Sequence, residues 1–315
     1  MCLYPRYIKN KRYQSYKVKK GDIVCDDWRK MYVPIGCGEC YECRRQKAQQ
    51  WRVRLMEELK VQKYAYFVTL TFSNESLREL AIKENIEENK LNAIATLAVR
   101  RFLERWRKAH KKSLKHWLIT ELGHENTERI HLHGIIFNET PLNNDILQHY
   151  WKYGHSDIGE YCNEQTINYI VKYITKIDTD HKSYKAVILC SAGIGAAYVE
   201  TYEAKEKYKY QAGKTPEYYT LKNGMRVALP IYYRNKLFTQ NERDRLWTER
   251  LDKGSIYVNG IEIKDIYTDE AQKYYYELLK QQQKWNVSVG YGSTAKEWQK
   301  EEYNLTFKML QRKKI

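Results

Sequence analysis

The chain of 315 residues lacks any long apolar run. A membrane-crossing helix needs about 20 predominantly apolar residues. The nearest candidate, AVILCSAGIGAAYV (186–199), is too short and is broken by Gly and Ser. The opening stretch MCLYPRYIKNKR carries no apolar core of a secretory signal. A cytoplasmic protein with reduced cysteines and no membrane partner is therefore expected. No internal repeat is visible, and the closest approach to low complexity is QQQK at 281–284. Histidine is scarce, with eight residues, so those that fall into a pattern are informative. Acidic residues are in deficit, 39 against 55 Lys and Arg, which leaves a formal net charge of +16 and a pI near 9.3.

That imbalance favours a polyanionic partner. Residues 1–63 hold 16 basic and seven acidic residues, so +9 of the excess falls in about a fifth of the chain. The 29 tyrosines exceed what a core requires. Aromatic side chains among basic ones suit single-stranded nucleic acid, where bases stack and phosphates pair with cations. A basic, tyrosine-rich protein that is merely soluble would have the same composition.

Three zones are expected: a basic Cys-rich segment (1–62), a segment alternating strands and helices (63–180), and a polar, Tyr-rich charged region (181–315). In the middle zone YFVTLTF (66–72), HWLITEL (116–122) and IHLHGIIF (130–137) read as strands, and HSDIGEY (155–161) as a short fourth. A helix is expected over about 90–111, with Leu91, Ile94, Leu97, Ala98, Phe102 and Trp106 on one stripe. Another spans 143–154, with an Asn or Asp cap and a terminal Gly. The order β-α-β-β-α-β predicts an α+β fold, a ferredoxin-like split antiparallel sheet.

RIHLHGIIF (129–137) places His131 and His133 on one face of a strand and Leu132 on the other, because side chains alternate with period two. The short connection GHENTER makes strands 116–122 and 130–137 a hairpin, which brings Glu121 near His131. Two imidazoles and a carboxylate form a three-donor divalent site with open positions. A half-solvated strand face with an exposed acid at its end would look the same in sequence. His124, in the connection, is a further candidate ligand. In TINYIVKYITK (166–176), Ile167, Ile170, Val171 and Ile174 form an apolar stripe. At about 100° per residue, Tyr169, Lys172, Tyr173 and Lys176 cluster opposite it. That face is either a nucleophile pair with supporting cations or a solvated surface.

Cys37, Cys40 and Cys43 form C-x₂-C-x₂-C, with Cys25 or Cys2 as a fourth donor, so a structural Zn²⁺ competes with simple reduced cysteines. CRRQKAQQWRVRLMEELK (43–60) reads as a helix with Trp51, Leu55 and Leu59 inward. Arg44, Arg45, Lys47, Arg52 and Arg54 fall largely outward, as candidate phosphate contacts or a solvated basic face.

HLHGIIF, preceded by YFVTLTF and followed by YIVKYITK, resembles the HUH endonuclease superfamily of rolling-circle replication initiators. VPIGCGECYECRRQKAQQWRVRLMEEL (33–59) and LPIYYRNKLF (229–238) narrow the resemblance to replication initiators of the Microviridae, the gokushovirus-like single-stranded DNA phages. The likeness runs from residue 1 to about 240. It implies that His131 and His133 bind metal with Glu121, that Tyr169 and Tyr173 are paired nucleophiles, and that Lys172 supports them. It further implies Mg²⁺ or Mn²⁺ as the working metal and a site- and strand-specific nickase-ligase. Such an enzyme forms a 5′-phosphotyrosine, starts rolling-circle replication and recircularises single-stranded genomes. The implied partners are single-stranded and supercoiled DNA at a phage origin, with host helicase and polymerase in the bacterial cytoplasm. Three other readings stay open: a non-enzymatic zinc-containing nucleic-acid-binding protein, a plasmid- or transposon-type HUH nuclease, and an HxH metallohydrolase. The last is disfavoured because HLHGII lacks the further His or Asp of such sites.

Overall fold

The chain begins with an antiparallel strand pair, β1 (Arg6–Lys9) and β2 (Tyr32–Ile35), followed by a long helix, α1 (Tyr41–Val61). The next segment supplies β3 (Tyr64–Leu70), α2 (Asn74–Glu84), α3 (Leu91–His110), β4 (Lys115–Leu122) and β5 (Ile130–Asn138). It continues with α4 (Asn144–Trp151), β6 (Ser156–Ile158), α5 (Glu164–Thr175) and β7 (Ile188–Cys190). Shorter elements follow: α6 (Tyr202–Lys207), β8 (Tyr218–Thr220) paired with β9 (Arg226–Ala228), α7 (Ile231–Leu237) and α8 (Gln240–Asp252). The pair β10 (Ile256–Val258) and β11 (Ile261–Ile263) then leads to α9 (Asp269–Ser288). The computed structural model describes residues 2–13, 27–123, 128–159, 162–178, 180–181 and 184–292. Among the described residues no helix is long and apolar enough to cross a membrane.

Two units are distinguished. The first comprises Met1–Lys47, Lys205–Tyr218 and Ile231–Lys296; the second comprises Ala48–Ala204, Tyr219–Pro230 and Glu297–Ile315. The second unit is built on a sheet of order β6-β3-β5-β4-β7 with antiparallel pairings throughout. Its first four strands reproduce the expected split β-α-β-β-α-β arrangement. Two features were not read from sequence. Helix α2 is capped by the Ser73 side chain and ended by Asn85 in the left-handed region, φ 53°. Strand β7 joins the sheet beside β4 from within the apolar stretch 186–199.

Period-two alternation divides the sheet's residues between two layers. On one face Val68, Leu70, Leu118, Leu122, Ile130, Leu132 and Ile136 bury against Leu80 of α2, Ile94, Ala98, Phe102 and Trp106 of α3, and Leu147 and Trp151 of α4. The α3 stripe is the one its spacing predicts. Helix α4 ends at Lys152 in the left-handed region, φ 62°, two residues before the glycine expected to stop it. The opposite face carries Phe67, Thr69, Trp117, Ile119, Glu121, His131 and His133. Helix α5 lies on that face: Ile167, Ile170, Val171 and Ile174 are buried, and Tyr169 contacts Phe67 with ring centroids 6.1 Å apart. Its start is fixed by a capping box, in which the Asn163 side chain accepts from the Thr166 amide at 3.1 Å.

Gly134 lies between Val68 of β3 and Leu118 of β4. A Cβ there would stand 2.8 Å from the Leu118 Cα and 2.6 Å from its Cδ2. The central strand therefore needs glycine for close approach rather than for backbone freedom. Gly134→Ala is expected to lower stability by about 1–3 kcal/mol, read as a lower urea midpoint. An unchanged midpoint would show that the sheet absorbs the methyl group without cost.

Candidate active site

The hairpin register brings the site together. Glu121 of β4 lies directly opposite His131 of β5, and His133 lies opposite Ile119 on one side and Thr69 of β3 on the other. The Glu121 Oε2 stands 3.3 Å from the Nε2 of His131 and 3.3 Å from the Nε2 of His133. The imidazole centroids are 4.8 Å apart. These donors form a group that could hold a metal ion. Adjacent ligands about 2.1 Å from an octahedral ion stand about 3.0 Å apart, close to the spacing found here.

Both histidines are oriented through their other ring nitrogen. His131 Nδ1 lies 3.3 Å from the Arg129 carbonyl oxygen, and His133 Nδ1 lies 3.1 Å from the Thr69 hydroxyl. A carbonyl only accepts, so His131 carries its proton on Nδ1 and turns the Nε2 lone pair toward Glu121. Burial alone would raise the Glu121 carboxyl. The hydrogen bonds of His131, His133 and Lys176 outweigh that and hold it well below the usual carboxylate range. The Lys176 Nζ is 2.5 Å from the Glu121 Oε1.

The tyrosines lie against this group. The Tyr173 ring stacks on His133 with centroids 5.1 Å apart and planes 18° apart, and Phe67 also stacks on His133 at 5.9 Å. The Tyr173 hydroxyl donates to the Tyr169 hydroxyl at 2.6 Å. Tyr169 itself is 47% exposed. Burial, the bond to Tyr169 and the Glu121 charge all push the Tyr173 phenol above its ordinary value. Nearby cationic charge is what would favour a phenolate here. Lys176 lies over the Tyr173 ring at 5.6 Å, whereas Lys172 is exposed. Thr69 and Phe67 were not singled out in sequence, although the alternation of YFVTLTF already puts them on one face. What was missing was the β3–β5 register that sets that face beside His133.

The basic side chains of α1 divide. Arg45 and Lys47 are exposed, Arg45 pairs with Glu42 at 2.9 Å, and Arg44 lies over the Tyr291 ring at 5.7 Å. Arg52 and Arg54 do not point outward as expected. Arg52 meets Glu164 at 3.4 Å, while Arg54 donates to the Ile194 carbonyl at 3.0 Å and covers the Trp51 ring at 4.2 Å. The helix buries Glu57 and Glu58 beside Leu55 and Met56, so it is covered on more than its apolar stripe. Glu58 accepts from Lys115 Nζ at 2.7 Å and from the Gly195 amide at 2.6 Å.

A second group that could hold a metal comprises Cys2, Cys37, Cys40 and Cys43. Cys2 supplies the fourth sulfur. Cys25, the other sequence candidate, lies outside the described residues, as does His124.

Loss of the Thr69 hydroxyl should leave His133 less well oriented. Thr69→Val is expected to weaken Mn²⁺ binding about 10- to 100-fold, measured by titration calorimetry. Unchanged affinity would show that stacking by Phe67 and Tyr173 suffices to hold the ring.

No curated protein and no solved structure matches the chain. Residues 65–178 match a family model of replication-associated proteins, the ORF2 type. That stretch is about a third of the chain and carries Glu121, both histidines and both tyrosines.

Proposed function

We propose that the chain is a replication initiator that nicks and religates DNA at an origin by tyrosine attack. The observation that carries this reading is the hydrogen-bonded Tyr169–Tyr173 pair against His133 of the Glu121–His131–His133 group. These residues lie within the segment matched by the replication-associated family. A Mg²⁺ or Mn²⁺ ion held by Glu121, His131 and His133 would supply positive charge to the scissile phosphate oxygens.

The protein's own groups do the rest. The Glu121 carboxylate stays ionised, and His131 and His133 present fixed nitrogen lone pairs. A tyrosine oxygen bonds to phosphorus as the bond from phosphorus to the 3′ oxygen breaks. The products are a 5′-phosphotyrosine and a 3′-hydroxyl. The covalent link retains the bond energy, so attack by a 3′-hydroxyl can reseal DNA without ATP. Lys172 and Lys176 share the tyrosine face and favour the phenolate electrostatically. The second tyrosine serves the later cut at the regenerated origin, while the first still carries DNA. Arg44, Arg45 and Lys47 are the proposed phosphate contacts. The substrate is supercoiled and single-stranded DNA of a Microviridae-type phage genome in the host bacterial cytoplasm, with host helicase and polymerase extending the 3′-hydroxyl.

The test uses supercoiled DNA carrying a candidate origin with Mn²⁺, scoring protein-linked DNA on a denaturing gel. The double variant His131→Ala/His133→Ala is expected to lose at least about a hundredfold in nicking while retaining double-stranded DNA binding. Undiminished nicking would overturn the metal-site assignment. Tyr169→Phe and Tyr173→Phe should each keep some initial nicking and fail at repeated rounds, and the double variant should do neither. Unit-length circles released over many rounds by either single variant would remove the shared role.

A further inference from the structure

The cysteine group lies in the other unit and takes no part in the chemistry proposed above. Its geometry is that of one tetrahedral ion. The Sγ atoms of Cys2 and Cys40 are 3.9 Å apart, and those of Cys37 and Cys43 are 4.0 Å apart. All four sulfurs lie within 4.8 Å of one another. Thiolates about 2.3 Å from a tetrahedral Zn²⁺ stand about 3.8 Å apart. A disulfide needs about 2.05 Å, and these cysteines are free. A polynuclear iron–sulfur cluster distributes its cysteines over several irons and spreads them wider than this. For one set of ligands, Zn²⁺ also binds more tightly than Fe²⁺.

The backbone is arranged around the sulfurs. Cys2 Sγ accepts from the Tyr4 and Cys37 amides at 3.3 and 3.2 Å, and Cys37 Sγ accepts from the Cys40 amide at 3.3 Å. Gly38 takes φ +81°, which lets the chain turn between Cys37 and Cys40. A Cβ at Gly36 would lie 3.1 Å from the Cys43 Sγ. Such N–H···S bonds compensate the charge of a buried thiolate set.

We infer that Cys2, Cys37, Cys40 and Cys43 bind one Zn²⁺, and that this ion fixes the surface on which α9 docks. The core here is small: beyond the cysteines its buried apolar members are Leu3, Val258, Ile263 and Leu278. Helix α9 is held by polar contacts to the residues flanking the sulfurs. Gln283 Nε2 donates to the Leu3 carbonyl at 2.7 Å, and the Tyr4 hydroxyl donates to the Gln283 carbonyl at 3.3 Å. The fully buried Asn286 accepts from the Tyr41 amide at 2.9 Å. Trp285 meets the Tyr41 ring edge-on at 5.2 Å. Residues 3, 4 and 41 keep these positions only while residues 2, 37, 40 and 43 are held together. With so few apolar contacts, metal ligation supplies the folding free energy that a larger core would otherwise provide.

The experiment takes the full chain purified under reducing conditions from zinc-supplemented medium. Elemental analysis should find one zinc per chain, and replacement by Co²⁺ should give thiolate charge-transfer bands with the intense visible bands of a tetrahedral site. Cys40→Ser should lose the zinc, and Cys190→Ser should keep it. Chelator-treated protein should be cut by chymotrypsin within α9, at Tyr274–Tyr276 and Trp285, sites that resist in the zinc-loaded form. Protein without zinc that takes up no Co²⁺, stoichiometric iron in its place, or zinc retained by Cys40→Ser would each overturn the site. Equal resistance of α9 with and without metal would overturn its dependence on the ion. Neither readout uses nicking, so the outcome is independent of the nuclease reading.

Discussion

The antiparallel register of β4 on β5 is the constraint on which the site depends. With Glu121 opposite His131, the carboxylate and both imidazoles share one face, and Leu132 enters the core on the other. A slip of one residue would send the histidines into the layer occupied by α2, α3 and α4 and turn Leu132 toward α5. The buried residues on both faces of β4 make that slip costly. Gly134 lets the strands approach closely where the register must hold. Packing thus enforces the arrangement of the donors before any ligand is present.

Around this frame the polar contacts act in a definite order. The Arg129 carbonyl and the Thr69 hydroxyl occupy the Nδ1 atoms, leaving the Nε2 atoms to converge on Glu121. Lys176 takes the other carboxylate oxygen and also lies over Tyr173, so one ammonium couples the acid to the tyrosine helix. Helix α5 is amphipathic in the strict sense: its isoleucine and valine stripe is buried, and its tyrosines fall on the side that meets Phe67 and His133. The same burial that fixes Tyr173 raises its phenol, which is why a site built for phenolate attack needs cations close by.

The Cys-rich unit solves a different problem. Its apolar cluster is small, and α9 is held largely by carboxamide and hydroxyl contacts to residues beside the four sulfurs. Where apolar area is scarce, metal ligation is the remaining strong source of order. This accounts for a cysteine at position 2 lying beside cysteines that follow it by more than 30 residues.

Local pattern was enough to determine a good deal. Period-two runs identified the three main strands, the 3.6-residue stripes identified α3 and α5, and the order of elements predicted the split sheet. The shared face of His131 and His133 followed from alternation alone, as did that of Tyr169 and Tyr173 from helical spacing. Other features depended on long-range pairing. The sequence showed Thr69 only as a strand residue, because its contact with His133 spans 64 positions. Lys176 and Lys172 looked equivalent on a helical wheel until the packing of α5 brought Lys176 to Glu121. Arg52 and Arg54 looked outward on α1 because a one-stripe reading assumes water on the far side, and in the folded chain Glu164 and the Ile194 carbonyl stand there instead. Cys2 and Cys25 were equal candidates by composition, and only the folded backbone, which returns Cys37 to within hydrogen-bond reach of the Cys2 sulfur, distinguished Cys2. Spacing along the chain fixes which side chains share a face, whereas the partner that a face meets is decided by contacts whose sequence separation no local pattern encodes.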